Sequence, residues 1–369
     1  MQENAIWQFS LDALHLAGWL IPLLLVLYGG VRWLGLRALV VVTTLATLLL
    51  VSLGAYVRLT DAGLGCPDWP GCYGKLSPIH AAEEIRNAEQ AAPLGPVSAP
   101  KAWNEMLHRY LATLVGALIL AIAIRALLRR RALGADSGRP ETAIGLPLAL
   151  VFAVILQGLF GKWTVTLLLK PAIVTLHLLG GMLILVLLAW LSARQCEISG
   201  PRDAARARRV RPWALAALAV AWIQVALGGW VSTNYAGLAC VDFPTCHGRW
   251  LPEMDFAHGF HFIRELGMTA TGEPLSNQAL NAIHWTHRVG ALITVGFVSI
   301  VAILAWPAAE LRRFAASLIV VLAVQVAIGI GNVVAMLPLW LAVAHNTGAA
   351  LLLVALVMLN FALYSRPAR

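Results

Sequence analysis

The sequence predicts an all-α polytopic membrane protein. Its plan is two pseudo-symmetric four-helix transmembrane bundles, related as a parallel internal repeat, plus one extra N-terminal transmembrane helix. Three observations predict this. Of 369 residues, 60% are hydrophobic and only 12% charged, a balance rare in soluble domains. Nine apolar segments, at roughly 13–31, 38–57, 105–124, 143–161, 172–192, 213–233, 284–306, 314–336 and 341–363, have about the length that crosses a bilayer. A shift of 174 residues also aligns the two long loops without a gap.

The first segment follows Glu3 and Asp12 rather than a basic cluster, and no small-residue cleavage site comes after it. It therefore reads as a retained span rather than a signal peptide, and residues 1–35 form the extra helix. The first bundle is expected over 36–195, a basic linker over 196–211 and the second bundle over 212–369. The net charge of +9 is read by location rather than as a nucleic-acid footprint. Alternate loops, around Arg32 and Arg37, Arg125 to Arg139, Arg194 to Arg211, Arg312 and Arg313, and Arg366 and Arg369, hold 17 of the 27 basic residues and five of the 18 acidic ones. The positive-inside rule makes these loops cytoplasmic. The N-terminus and the long loops 58–104 and 234–283 then lie outside, and the C-terminus inside.

The repeat is clearest between 54 and 78, where eleven of 25 positions are identical to their partners, from Gly54/Gly228 through Asp68/Asp242 to Pro78/Pro252. Further on, "LHRYLATLVG" answers "THRVGALITVG", and "TLHLLGG" answers "VAHNTGA". A Gln-x-x-x-Gly pattern recurs at Gln157/Gly161, Gln224/Gly228 and Gln325/Gly329. It is expected to pack helices, with glycine allowing close approach and glutamine hydrogen-bonding across the bundle.

Four of the ten histidines recur at matching places: His108 with His287, and His177 with His345. Each lies a few residues inside the outer end of an inward-running span, so all four fall near one level. Ionisable groups inside spans are costly and call for partners. Facing imidazoles can supply axial nitrogens to a heme iron; a lone one can instead hydrogen-bond a neighbouring helix. Arg109 and Arg288 follow His108 and His287, where a guanidinium can pair with heme propionates or simply snorkel to the boundary. Glu105 sits three residues before His108 on the same helical face, and His284 holds the matching place before His287. A carboxylate there can move protons or stabilise developing positive charge; it can also merely favour a helix N-terminus. His284 could compete with His287 as a ligand.

Cys66 and Cys72 enclose five residues, as do Cys240 and Cys246. The spacing is wrong for c-type heme attachment. A zinc site from Cys240, Cys246, His247, His258 and His261 has no counterpart in the first loop, where Tyr73 stands in place of His247. Disulfides closing each outer loop fit the oxidising compartment, while Cys196 falls on the cytoplasmic side and should be a free thiol.

The stretches "GAYVRLTDAGLGCPDWPGCYG", "EMLHRYLATLVG" and "THRVGAL", with His177 and His345, resemble the heme A synthase family over about 38–363. The resemblance implies a bacterial inner-membrane oxidoreductase that turns heme O into heme A, oxidising the position-8 methyl through successive hydroxylations to a formyl group. It further implies that His287 and His345 ligate a resident heme b, that His108 and His177 bracket substrate heme O, and that Glu105 is catalytic. Heme O synthase would act upstream and cytochrome oxidase assembly downstream, in the lipid bilayer, with a homo-oligomer left open and no nucleic acid involved. The extra N-terminal span departs from the family plan. A di-heme b cytochrome linked to quinol would show the same ligands without needing Glu105. A transporter would instead need a midplane site on broken helices.

Overall fold

Within hydrocarbon every backbone N–H and C=O must be satisfied inside the chain, and this chain does so with helices. The computed structural model describes residues 25–134 and 140–367. Among them, eight helices are long and apolar enough to cross a membrane: α1 (Leu36–Leu59), α2 (Ala99–Leu133), α3 (Gly145–Thr166), α4 (Pro171–Gln195), α5 (Ala204–Thr233), α6 (Asn277–Ala305), α7 (Ala309–Val334) and α8 (Leu339–Tyr364). The all-helical polytopic class is thus as expected. The segment expected at 13–31 lies largely outside the described residues, of which 25–32 are helical.

Several helices overrun their apolar segments because polar caps and charged ends extend them. The start of α2 has Pro100 in its first turn and its last turn holds Arg130 and Arg131, which suit a helix C-terminus. The start of α5 is set by Asp203, whose carboxylate accepts the Arg206 N–H at 2.9 Å. Ser276 does the same for α6, accepting from the Ala279 N–H at 3.2 Å.

Contacts divide the chain into two compact units, Met1–Thr166 and Leu167–Arg369. In the first, α2 packs on both α1 and α3, and Arg125 donates to the Val31 carbonyl. In the second, α5 and α7 each pack on α6 and α8, so these four helices close a ring, with α4 against α5 and α8.

The two cysteine loops fold alike. Disulfides join Cys66 to Cys72 and Cys240 to Cys246, with Cα atoms 4.9 and 4.8 Å apart. Inside the first ring, Asp68 accepts the N–H groups of Tyr73 and Gly74 at 2.6 Å each. In the second, Asp242 accepts those of His247 at 2.6 Å and Gly248 at 2.9 Å, and the Thr245 hydroxyl at 2.5 Å. Each turn needs two successive left-handed residues, with φ of 52° and 69° at Tyr73 and Gly74, and 53° and 70° at His247 and Gly248; glycine takes the second at no steric cost. The Thr245 hydroxyl, then the Gly248 N–H, hold the Asp242 carboxyl well below its ordinary range. Its contribution to the loop is therefore present above the ordinary carboxylate pKa and is lost only as pH falls through the lowered value.

The first loop covers a small core of Cys66, Cys72, Ala81, Ile85, Ala102 and Met106. The second rests on Trp230, Ala236 and Ile283, and the Trp230 indole N–H donates to the Gly259 carbonyl at 2.9 Å. With both sulfurs of Cys240 and Cys246 bonded to each other, neither is a thiolate ligand for zinc, and no metal-ready group of three His, Cys, Asp or Glu side chains occurs among the described residues. Cys196 is a free thiol.

Replacing Cys240 and Cys246 together by serine is expected to cost about 2 kcal/mol, the chain-entropy value for so short a closed loop. Denaturation of the detergent-solubilised protein measures it; an unchanged midpoint would mean that the Asp242 turn alone holds the loop.

Candidate functional site

The first turns of α2 bring Glu105, His108 and Arg109 beneath the first cysteine loop. Glu105 is 4% exposed. Its Oε2 accepts the Cys66 N–H at 2.8 Å and its Oε1 accepts from Arg109 Nη2 at 2.5 Å. Arg109 Nη1 also donates to the carbonyls of Asp68, at 2.9 Å, and Gly71. The buried ion pair therefore clamps the loop to the helix that carries His108. Gly65 lets the loop lie this close, since a Cβ there would stand 2.5 Å from the Lys101 backbone.

The same clamp recurs on α6 with one substitution. His284 takes the place of Glu105: the Cys240 N–H points at its Nδ1 at 3.2 Å and Arg288 Nε at its Nε2 at 3.3 Å. Arg288 donates in addition to the carbonyls of Asp242, Thr245 and Cys240 at 2.9, 2.8 and 2.8 Å. Each ring nitrogen of His284 thus faces a donor, Nδ1 from the loop and Nε2 from Arg288 on its own helix. A neutral imidazole accepts at one nitrogen only, whereas a carboxylate accepts at both oxygens. The second clamp is therefore mismatched by one hydrogen bond.

His287, next to this clamp, faces His345 of α8. Their ring centres are 6.4 Å apart and their planes cross at 75°. Two imidazoles bound to one metal ion by nitrogen bonds of about 2 Å hold their ring centres about 6 Å apart, so the pair has the spacing of two axial ligands. Nδ1 of His345 is buried without a hydrogen-bond partner, the kind of orphan a bound group accounts for.

Glycines make room for the rings. A Cβ on Gly228 would come within 3.1 Å of His287 Cε1, and one on Gly329 or Gly54 within 3.0 Å of His345 or His108. The expected cross-bundle bonds are there too: Gln224 and Gln325 donate to the main-chain carbonyls of His287 and His345 at 3.0 Å each. His177 stands on α4, six residues past Pro171. The loop role of Asp68 and Asp242 was missed in the sequence, although their identity in the repeat was its visible signal.

Residues 37–357 match the model of the COX15-CtaA family, described as cytochrome oxidase assembly protein. A protein of Shewanella oneidensis named heme A synthase is 39% identical over 327 residues, 88% of this chain and 96% of that one. Proteins of the same name from Sphingopyxis alaskensis and Caulobacter vibrioides are 28% and 29% identical, covering 87% and 82% of this chain and 88% and 89% of theirs.

His284→Glu is expected to raise the thermal midpoint of the purified protein, because a carboxylate would satisfy both facing donors. A hydrogen bond to a charged group contributes roughly 1.5–3 kcal/mol. A lowered midpoint would show that the imidazole is held there for another reason.

Proposed function

Because this chain belongs to the COX15-CtaA family of cytochrome oxidase assembly proteins, we propose that it is a heme A synthase, an oxidoreductase that converts the position-8 methyl of heme O to a formyl group. The observation that carries the reading is the facing pair His287 and His345, 6.4 Å between ring centres, in a chain whose relatives bear that name. These two would hold a resident heme b, which supplies a one-electron redox centre when bound. By the family resemblance, His108 and His177 would bracket heme O as substrate.

Two successive oxidations, each adding the oxygen of one water and releasing two protons, with two electrons passing to an external electron acceptor, take the methyl to a hydroxymethyl and then to a hydrated aldehyde, which loses water. Protons leave at each stage, and Glu105 is the group proposed to handle them. Its carboxylate has about four lone-pair sites; Cys66 and Arg109 occupy two positions on it, which leaves capacity for a proton on the same side chain, one helical turn from His108. The contact with Arg109 holds that carboxyl group in place. Arg109 and Arg288 remain the proposed partners for heme propionates through donors beyond those given to the loop carbonyls.

The division into 36–195 and 212–369, joined by the basic linker 196–211, belongs to the same reading and follows the repeat. So does the orientation in a bacterial inner membrane, with the N-terminus and both cysteine loops in the periplasm and the C-terminus in the cytoplasm. Heme O synthase would supply the substrate, and cytochrome oxidase assembly would take the product.

Expression in cells that make heme O, followed by pigment extraction, is expected to yield heme A. A protein that holds heme b but yields none would be the quinol-linked di-heme cytochrome instead. His287→Ala and His345→Ala should each deplete the resident heme, and full low-spin spectra in both variants would overturn the ligand set. Glu105→Gln should keep heme b and lower product at least 10-fold, the lower range for loss of an acid–base group; undiminished product would remove Glu105 from the chemistry.

A further inference from the structure

Two glutamines and four glycines in the second unit form the same small module twice. On α5 and α6, Gln224 is one turn before Gly228, and His287 is three residues before Gly290. On α7 and α8, Gln325 is one turn before Gly329, and His345 is three residues before Gly348. In each module the glutamine amide nitrogen donates to the histidine's own main-chain carbonyl at 3.0 Å. In each it also touches the ring: Gln224 Nε2 is 3.0 Å from His287 Nδ1, and Gln325 Nε2 is 3.4 Å from His345 Nε2.

The glycines are part of the same fit. A Cβ on Gly290 would run into Gln224 Oε1, and one on Gly348 into Gln325 Oε1, while Gly228 and Gly329 lie against the Cε1 edges of the two rings. Each imidazole is thus wedged between an amide and a bare backbone. The torsion that turns an imidazole about its Cβ–Cγ bond is broad and weakly preferred by itself. Without such a wedge, the ring plane would be poorly determined. Buried polar groups that contact a metal ligand act by orienting it.

We propose that Gln224 and Gln325 are positioning residues that set the ring planes of His287 and His345, and so hold the two planes near the 75° crossing when heme is bound. The inference rests on the reading of those histidines as heme b ligands. The same sequence spacing recurs at Gln157, Gly161, His177 and Gly180. At His108 the neighbouring Gly54 is kept, but Leu50 and Leu111 occupy the other two places. One of the four histidines therefore has side chains there that offer no hydrogen bond.

The angle between two axial imidazole planes governs how the d orbitals of a low-spin ferric iron split, and electron paramagnetic resonance reads that splitting. Crossed planes give one strongly anisotropic low-field feature, and parallel planes give a rhombic signal. The experiment uses the full-length protein, purified with its resident heme, and the variants Gln224→Met and Gln325→Met, which keep volume and lose both donor and acceptor. Heme content is expected to stay at half or more of wild type, with loss of the single low-field feature in favour of a broadened or rhombic signal. An unchanged signal in both variants overturns the proposal. Should Gln224→Met lose its heme, Gly290→Ala displaces the amide without altering its chemistry, and an unchanged signal there overturns it equally. His287→Ala separates the two readings. If it keeps the low-spin signal, the ligand assignment fails; if it loses the signal while the methionine variants keep theirs, only the glutamine role fails.

Discussion

Each cysteine loop is fastened to a membrane-length helix by one arginine, and much of the site depends on that bond. Arg109 and Arg288 follow the helix-start histidines, so any force that fixes their guanidinium groups also fixes the register of His108 and His287. The loop carbonyls of residues 68 and 71, and of 240, 242 and 245, are what they bind. A guanidinium presents five N–H donors in a rigid fork, enough to gather several carbonyls of one compact ring. The ring is compact because a disulfide, an aspartate turn and a left-handed residue pair all close the same few residues. Loop and helix thus stabilise one another.

The two copies of this clamp differ at the residue that receives the arginine. Glu105 satisfies both the cysteine amide and the arginine with its two carboxyl oxygens, in a position 4% exposed. His284 meets the same two donors with a ring that has one acceptor. Exchanging one partner of a buried pair for a neutral group leaves the retained arginine with a poorer acceptor. The second half has made that replacement and the first has not. The carboxyl group at position 105 is thus what sets the first clamp apart from the second.

Close approach is the other governing constraint. Inside a membrane there is no hydrophobic force between helices, and small residues let backbones and polar groups meet. Here the glycines are spent on imidazoles rather than on helix–helix contact alone, at Gly54, Gly228 and Gly329. The glutamine one turn earlier completes the seat on α5 and α7. A pattern first legible as generic packing is in fact packing around two specific rings.

Composition and hydropathy determined the polytopic helical class, because a bilayer admits few other solutions for so apolar a chain. The 174-residue repeat determined that the loops would fold alike, since identical residues at Asp68, Cys72 and Gly74 and their partners impose one turn geometry. The four histidines could be singled out by symmetry, and Glu105 by standing where the two halves differ. Sequence could not say what Arg109 and Arg288 bind, because the carbonyls they reach lie about 40 residues earlier in the chain and come near only when the loop folds back. Nor could it distinguish a helix-packing glutamine from one seated on a histidine, as both need the same spacing. Those assignments depend on which faces of neighbouring helices meet, and only the tertiary structure decided them.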